Sequence, residues 1–157
     1  MSAKVFSTHS IHVTKIINAP LQFAYKWCTD FREDDNKITG SKNERRILQK
    51  NRKRVVYVTT YFPKPETSKV GVNLVTLHPP NSWHLEFVGE EDDEEGDYHL
   101  TRLGTRKTKL EMRFLEKYKV RNAPTQAEDK RHTEEIWDKY TAALERDYSR
   151  VKRHSRE

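Results

Sequence analysis

The feature that most constrains the fold is one long amphipathic helix, predicted from Thr125 to about Arg153. Thr125 and Glu128 have the spacing of a capping box, which marks where the helix begins. At ~1.5 Å per residue such a helix is about 40 Å long. One stripe of its surface is apolar and the other faces are charged, so the helix must pack on an apolar surface formed by the rest of the chain. The stripe comprises Ile136, Trp137, Tyr140, Ala143, Leu144, Tyr148 and Val151.

The N-terminal part of the chain predicts a strand followed by short helices. Apolar and polar residues alternate over 11–17, which is typical of a strand. Pro20 suits the first position of a helix because its ring presets φ, so a helix is expected over 21–30. A second short helix or a turn is expected near Asp34.

The middle of the chain, from Lys42 to Val120, has the pattern of consecutive antiparallel strands. Segments of strand length alternate with turn residues, and the separations are too short for parallel crossovers. We expect strands near 42–50, 53–62, 69–78, 82–90, 97–104 and 107–119. Several of them are apolar on one face only, as in a sheet that is covered on one side. The strand over 55–62 is apolar at both parities, which leaves open whether Tyr57 and Tyr61 or Val56, Val58 and Phe62 face inward.

Together these elements predict an α+β fold of one strand, two short helices, six strands and one long helix. The apolar face of the sheet needs a cover, and the final helix is the element long enough to provide it. At 157 residues the chain is most simply one domain, 1–157. We expect its core to span about 9–152, with loose ends at 1–8 and 154–157.

Composition favours a soluble protein of a reducing compartment. No run approaches the ~18 apolar residues of a membrane span, and the N-terminus lacks the apolar core of a signal peptide. Cys28 is the single cysteine and has no internal disulfide partner. We therefore predict a cytoplasmic location.

Two segments resemble motifs of one protein superfamily. In residues 17–31 a strand ends in Ala19-Pro20 and leads into a short helix closed by an aspartate. In residues 98–108 the turn Gly104-Thr105-Arg106 enters the last strand. On these motifs the chain, over roughly 9–152, resembles the START and birch-pollen-allergen (SRPBCC) superfamily, in particular its polyketide-cyclase-like branch.

The resemblance implies the helix-grip fold, in which a curved, antiparallel seven-stranded sheet wraps around the C-terminal helix and encloses a hydrophobic cavity. Members bind lipids, sterols, quinones or aromatic metabolites, some cyclise or dehydrate polyketides, and some associate with proteins or ribosomes. The superfamily has no shared catalytic motif, so no catalytic residue carries over. This chain departs from the pattern in having one glycine, Gly96, where two are usual before the hairpin, and in its six consecutive acids.

Motifs for metals, cofactors and nucleophilic catalysis are missing. The seven histidines lack metal-ligand spacing and are expected at the surface or hydrogen-bonded. The acids from Glu90 to Glu95 lack the register of a calcium loop and are expected to form a solvated, self-repelling hairpin loop. Cys28 lies among apolar residues and is expected to be buried and inert. We expect no metal and no cofactor.

Asp147 is an acid within the apolar stripe of the last helix. A buried, unpaired carboxylate is costly, so it would need a raised pKa or a cationic partner such as Arg102. It would then be a polar anchor or a general acid at the cavity wall. The simpler interpretation is that the helix end overhangs the sheet and leaves Asp147 in water.

The candidate ligand-binding residues are mostly aromatic, because aromatic walls with a few polar groups suit small-molecule sites. The same side chains would equally serve to fill a core. The candidates are Tyr57, Tyr61, Trp83, Leu85, Phe87, Tyr98, Met112, Phe114, Trp137, Tyr140, Leu144 and Asp147.

Three functional hypotheses follow. The leading one is binding of a hydrophobic small molecule (a lipid, a quinone or an aromatic, polyketide-like compound) between sheet and helix. The second is a cyclase or dehydratase that uses Asp147, Tyr140 and Tyr98 in the same cavity. The third is an RNA- or ribosome-associated factor, since the net charge of +6 favours anionic partners. Its basic surface would comprise Arg45, Arg46, Lys50, Arg52, Lys53 and Arg54.

Overall fold

The computed structural model describes residues 4–154. Its elements follow the predicted order: β1 (Ser7–Ile17), α1 (Leu21–Thr29), α2 (Asn36–Thr39), β2 (Glu44–Lys50), β3 (Arg54–Lys64), β4 (Thr67–His78), β5 (Ser82–Gly89), β6 (Asp92–Gly104), β7 (Lys107–Tyr118) and α3 (Gln126–His154). The α+β class, the seven strands and the long final helix are thus confirmed. Of the ends expected to be loose, Ser7 and Thr8 belong to β1 and His154 to α3, whereas 1–3 and 155–157 lie outside the described residues.

All seven strands form one antiparallel sheet in the order β1-β7-β6-β5-β4-β3-β2. Strands β2 to β7 are joined by consecutive hairpins, as the short turns predicted. The chain then pairs β1 with β7, so α1 and α2 carry it from one edge of the sheet to the other. Among residues 4–154 no helix is both long and apolar enough to cross a membrane.

The inner face of the sheet is the one that α3 covers. Val55 and Tyr57 are buried on β3, whereas Val56 and Val58 at the other parity are half-buried. The open question about this strand is thereby answered, because Tyr57 and Tyr61 have the inward parity. Phe62 is 38% exposed and lies where the pairing of β3 with β4 becomes irregular.

Helix α3 is fastened to β1 and its flanking residues along its length. Near its start, Asp129 accepts a hydrogen bond from His9. In its middle, Asp138 lies 2.5 Å from the Lys15 ammonium. Further on, Glu145 accepts from the backbone N–H of Asn18 at 3.0 Å. These three contacts hold α3 along β1 and set its direction across the sheet.

The predicted capping box at the start of α3 forms in part. The backbone N–H of Glu128 donates to Oγ1 of Thr125 at 3.2 Å, as expected. The Glu128 carboxylate accepts from the hydroxyl of Thr125 at 3.0 Å, not from its backbone N–H. The helix N-terminus therefore has one capping bond to its backbone.

Three glycines, Gly71, Gly89 and Gly96, make room for aromatic rings on the inner face. A Cβ built on Gly71 would lie 2.1 Å from the Phe87 ring, so that ring occupies the space above the β4 backbone. A Cβ on Gly96 would lie 3.0 Å from the Phe114 ring and 3.1 Å from that of Tyr98. Because glycine has no side chain, the rings can lie close to the sheet, and the space above the rings stays open.

The prediction of an acidic hairpin loop is wrong for most of its length. Strand β6 begins at Asp92, and its acidic residues pair with both neighbouring strands. Alternation sends Asp92 and Glu94 inward, while Asp93 faces the other way and accepts from the Lys119 ammonium at 2.8 Å. The strand tolerates so many acids because alternate carboxylates lie on opposite faces of the sheet.

Candidate ligand-binding site

Two cavities lie between the inner face of the sheet and the helices. The first has a volume of about 340 Å³ and lies beneath α1 and the segment around α2. The second has a volume of about 540 Å³ and lies toward the start of α3. Tyr98 and Trp137 line both cavities and form the wall between them.

The body of the first cavity is a box of aromatic rings. Trp83 stacks on Tyr98, with ring centroids 4.8 Å apart and planes 12° apart. On the helix side, Trp137 packs against Tyr140 with centroids 5.1 Å apart. The remaining apolar lining comes from both helices and from the sheet: Trp27, Cys28, Phe31, Ile38, Tyr57 and Leu85.

The first cavity also offers hydroxyl groups that lack a protein partner. Tyr57 is only 5% exposed and Tyr98 only 8%, yet neither hydroxyl has a hydrogen-bond partner among residues 4–154. Burial raises the pKa of Tyr57 to about 12 and raises the pKa of Tyr98 well above its ordinary value. Both phenols therefore remain protonated at neutral pH and are available as hydrogen-bond donors.

Asp147 lies at the wall of this cavity and is hydrogen-bonded to Trp27, not to Arg102. Its carboxylate accepts a hydrogen bond from the indole Nε1–H of Trp27 at 2.8 Å and lies 3.6 Å from the Arg150 guanidinium. Arg102, the partner suggested by the sequence, is exposed near the end of β6. The pairing with Arg102 is wrong because α1 packs against α3 here and supplies the donor. The Asp147 side chain is 42% exposed.

Arg45 closes the mouth of the first cavity. Its guanidinium lies 4.4 Å from the centre of the Tyr57 ring and donates to Asp35 at 2.7 Å. Lys50 donates in the same way to Asp30 at 3.0 Å. Two residues of the predicted basic surface thus hold the segment after α1, whereas Arg46, Arg52, Lys53 and Arg54 are exposed.

The second cavity combines aromatic rings with carboxyl groups. Phe87 and Phe114 line it near Glu94 and Glu116, which are directly opposite each other in the β6–β7 register. Burial and mutual repulsion raise the pKa of Glu116 to about 8, and burial raises the pKa of Glu94 to about 7. Burial and the nearby Glu116 likewise raise the pKa of Asp92 to about 7.

A polar network closes the second cavity at the start of α3. The Asp129 carboxylate accepts from His9 and from the Tyr118 hydroxyl, which lies 2.7 Å and 2.9 Å from its two oxygens. The same hydroxyl lies 2.9 Å from Glu116. Burial and these carboxylates raise the pKa of Tyr118, so it stays protonated. The network links β1, β7 and α3 through one phenol.

Ten of the twelve sequence-predicted site residues line one or both cavities. The first cavity receives Tyr57, Trp83, Leu85, Tyr98, Trp137, Tyr140 and Asp147. The second receives Tyr61, Phe87, Tyr98, Phe114 and Trp137. Met112 and Leu144 line neither, because they are fully buried in the packed core between β7 and α3.

Sequence reasoning missed two groups of lining residues. Trp27, Phe31 and Arg45 were not assigned to the cavity because the position of α1 relative to the sheet is not visible in a strand pattern. Glu94 was missed because the acidic run was assigned to a loop, and Glu116, its cross-strand partner on β7, was missed with it. Extending the alternation of β6 back from Tyr98 through Gly96 would have placed Glu94 on the inner face.

The described residues form neither a metal site nor a reactive thiol. Within the described range 4–154, no cluster of three or more His, Cys, Asp or Glu side chains has an arrangement that could hold a metal ion. Cys28, expected to be buried, is half-buried at the wall of the first cavity; desolvation still raises the pKa of its thiol to about 12, so it is not a nucleophile at neutral pH. His84, bonded to Asp97 at 2.7 Å, and His9 are hydrogen-bonded, as expected of both.

Comparison with known proteins gives matches in structure alone. No protein-family model and no curated protein matches the chain. Among solved structures, it is similar to the protein TTHA0849 of Thermus thermophilus, with 12% identity over 86% of this chain and 96% of that one and a TM-score of 0.67. It is also similar to a START superfamily protein from Mycobacterium smegmatis, with 16% identity, 91% and 99% coverage and a TM-score of 0.65.

The di-domain ARO/CYC protein StfQ, from the steffimycin biosynthetic pathway, is a third match. It shares 14% identity over 89% of this chain and 46% of its own length, with a TM-score of 0.69. The chain has the helix-grip fold. The resemblance to the START and birch-pollen-allergen superfamily is thus confirmed at the level of fold, and identities this low show the fold alone. What the helix-grip sheet and helix enclose in this chain has to be argued from its own cavities.

Proposed function

We propose that this protein binds a hydrophobic small molecule with a flat, aromatic body in the first cavity. The observation that carries the proposal is the aromatic box, at whose wall the buried residues Tyr57 and Tyr98 have hydroxyl groups that lack protein partners. Protein cores are close-packed and their buried polar groups are hydrogen-bonded. An open volume of about 340 Å³ with two unpartnered hydroxyl groups at its wall is therefore better suited to a ligand than to a core.

The lining also supports a class of ligand. Parallel rings such as Trp83 and Tyr98 favour a planar molecule, which would stack or pack edge-on against them. The protonated phenols of Tyr57 and Tyr98 are donors, so the ligand would carry acceptor oxygens such as carbonyl groups. A quinone or an aromatic, polyketide-like compound has both properties. We place this binding in the cytoplasm, on the single cysteine of the chain.

A cyclase or dehydratase is the second candidate function. Tyr98 favours it, because a buried phenol next to a bound carbonyl oxygen would stabilise charge that develops there. Asp147 would orient Trp27 at the same wall. The name of the matched StfQ, an ARO/CYC protein, is consistent with this chemistry on the same fold. An Asp147→Asn variant with unchanged turnover would remove Asp147 from the mechanism.

The test of binding begins with native mass spectrometry of protein purified from its own host, followed by organic extraction. In parallel, 2-methyl-1,4-naphthoquinone and 2-methylnaphthalene are titrated while the tryptophan fluorescence is followed. We expect the quinone to bind about thirtyfold more tightly, because two neutral hydrogen bonds contribute roughly 1 kcal/mol each.

The Tyr57→Phe and Tyr98→Phe variants should each lose part of that preference. Tyr148→Phe is the matched control, since Tyr148 packs on Phe23 outside both cavities. An empty native protein together with equal affinities for the two probes would reject the proposal.

A further inference from the structure

The second cavity differs from the first in the charge of its wall. Five carboxyl side chains line it, and no lysine or arginine does. This is unexpected in a chain whose net charge is +6. The acids in the wall are Glu91, Asp92, Glu94, Glu116 and Asp129.

Two of these acids are held together by the sheet itself. Glu94 and Glu116 are cross-strand partners on β6 and β7 and both face the cavity. Like charges directly opposite each other destabilise a sheet. Neither is paired with a lysine or arginine among residues 4–154. The fold thus keeps two adjacent carboxyls in a cavity whose wall contains no lysine or arginine.

An independent observation points into the same space. The edge of the Tyr98 ring lies 3.1 Å from the place of a Cβ on Gly96, so the ring leans along β6 toward Glu94. Tyr98 is 8% exposed, and its hydroxyl has no hydrogen-bond partner within the described part of the chain. Because Tyr98 lines both cavities, its unpartnered hydroxyl can be satisfied by a ligand beside the carboxyl pair as well as by one in the first cavity.

The rest of the wall suits an organic body. Phe87 and Phe114 lie against the sheet over Gly71 and Gly96, and Tyr61 stands on β3 beside them. The faces of aromatic rings attract cations as well as apolar groups. The wall is less suited to a bare metal ion, because no group of three or more His, Cys, Asp or Glu side chains in residues 4–154 has an arrangement that could hold one.

We propose that the second cavity binds an organic cation, a protonated amine on an aromatic body, with the ammonium group held by Glu94 and Glu116. The ammonium supplies the positive charge that the wall lacks, and Tyr98 adds a hydrogen bond from the shared wall. The proposal goes beyond the binding proposed for the first cavity and does not require that cavity to be occupied.

Binding should be linked to the release of a proton. Burial holds the pKa of Glu94 at about 7, and burial together with the nearby Glu94 holds the pKa of Glu116 at about 8, so the pair retains protons at neutral pH. An ammonium between them favours the ionised forms and displaces a proton. The other titratable groups that face the pair or its neighbours are Glu91, Asp92, Tyr61, Tyr98, Tyr118, Asp129, His132 and His9.

Isothermal titration of the whole protein with 1-naphthylmethylamine and with its neutral analogue, 1-naphthalenemethanol, tests the proposal. At pH 7 we expect the amine to bind at least tenfold more tightly and to release protons, seen as a heat that changes with the buffer. In the Glu94→Gln/Glu116→Gln protein, which keeps the shape of the wall, both the preference and the proton release should disappear.

Glu95→Gln is the matched control, because Glu95 lies on the same strand but has the outward parity. It should behave like the parent protein. Equal affinity for the two probes, a preference that survives in the double variant, or tighter binding of Ca²⁺ than of the amine would each overturn the proposal. Tyr57→Phe, which alters only the first cavity, should leave the preference for the amine unchanged. Failure of this proposal is thereby distinguished from failure of the first.

Discussion

The indole Nε1–H of Trp27 donates to a carboxylate oxygen of Asp147 at 2.8 Å and joins α1 to the C-terminal half of α3. Trp27 also meets the Tyr140 ring edge-on, with centroids 6.3 Å apart. Asp147 is therefore neither buried without a partner nor simply in water. It holds one wall of the first cavity in place from the side that the solvent reaches.

This bond should be measurable as a coupling between two mutations. In a cycle of Trp27→Phe and Asp147→Ala, we expect about 1 kcal/mol of coupling in the free energy of unfolding, the usual value of a hydrogen bond. Urea denaturation gives the four stabilities. The same cycle with Arg150→Ala should give less than about 0.5 kcal/mol, because both side chains of that ion pair are well exposed. Coupling of zero between Trp27 and Asp147 would show that the bond does not form.

Stability should fall as pH rises, because of the acids in the second cavity. The pKa of Glu116 is about 8 in the folded protein, above its ordinary value near 4.5, so the folded state binds more protons between these values. The contribution of Glu116 to stability is then full below about pH 4.5 and is progressively lost up to about pH 8. Relative to the parent, the Glu94→Gln/Glu116→Gln protein should gain melting temperature steadily over this range.

The gain at pH 8 should be roughly 3 °C or more, measured by circular dichroism. Glu95→Gln, changed on the same strand, should follow the parent at every pH. A constant difference between the double variant and the parent from pH 4.5 to 8 would contradict the raised pKa values.

A side chain at Gly71 should lower the stability of the fold. The Cβ of Gly71→Ala would overlap the Phe87 ring, so that ring has to move into the second cavity. Overpacking of this kind costs about 1–3 kcal/mol of the free energy of unfolding. Adding Phe87→Leu should restore part of the loss. Gly104→Ala is the control, since its Cβ would meet nothing closer than 3.9 Å. Equal stability of the two alanine variants in urea would contradict this packing.

Arg45 and Arg46 are adjacent in sequence but should differ in their contact with nucleic acid. Arg45 is engaged by Asp35 and the Tyr57 ring, whereas Arg46 is exposed. If the chain binds single-stranded RNA through this surface, Arg46→Met should lower the slope of log affinity against log salt by about 0.7, the value of one released counterion. Arg45→Met should leave the slope unchanged. Filter binding of an oligonucleotide at several salt concentrations measures both, and an affinity independent of salt would reject the nucleic-acid hypothesis.

The sequence predicted the fold well because its strongest signals are periodic. The alternation around Trp83 and around Met112 placed their strands correctly, and the stripe on α3 showed that a sheet must face it. The start of β6 was wrong by five residues because a run of acids was interpreted as solvated. What that interpretation omitted is that Glu94, whose pKa burial raises, stays partly protonated in the fold.

The cavities themselves were predictable only in part. Aromatic residues at inward positions identified most of the lining, but composition does not distinguish a filled core from a cavity, as Met112 and Leu144 show. The partner of Asp147 depends on how α1 crosses α3, a relation between elements far apart in the chain. The two unpartnered phenols depend on distances that no spacing in a sequence contains.

Tyr98 and Trp137 belong to both cavities, so binding in one cavity should affect binding in the other. A ring that turns to fit a molecule on one side presents a different surface on the other. Each ligand would then change the affinity of the other, and linkage requires the two factors to be equal. The two shared rings would therefore couple the occupancy of one cavity to the affinity of the other.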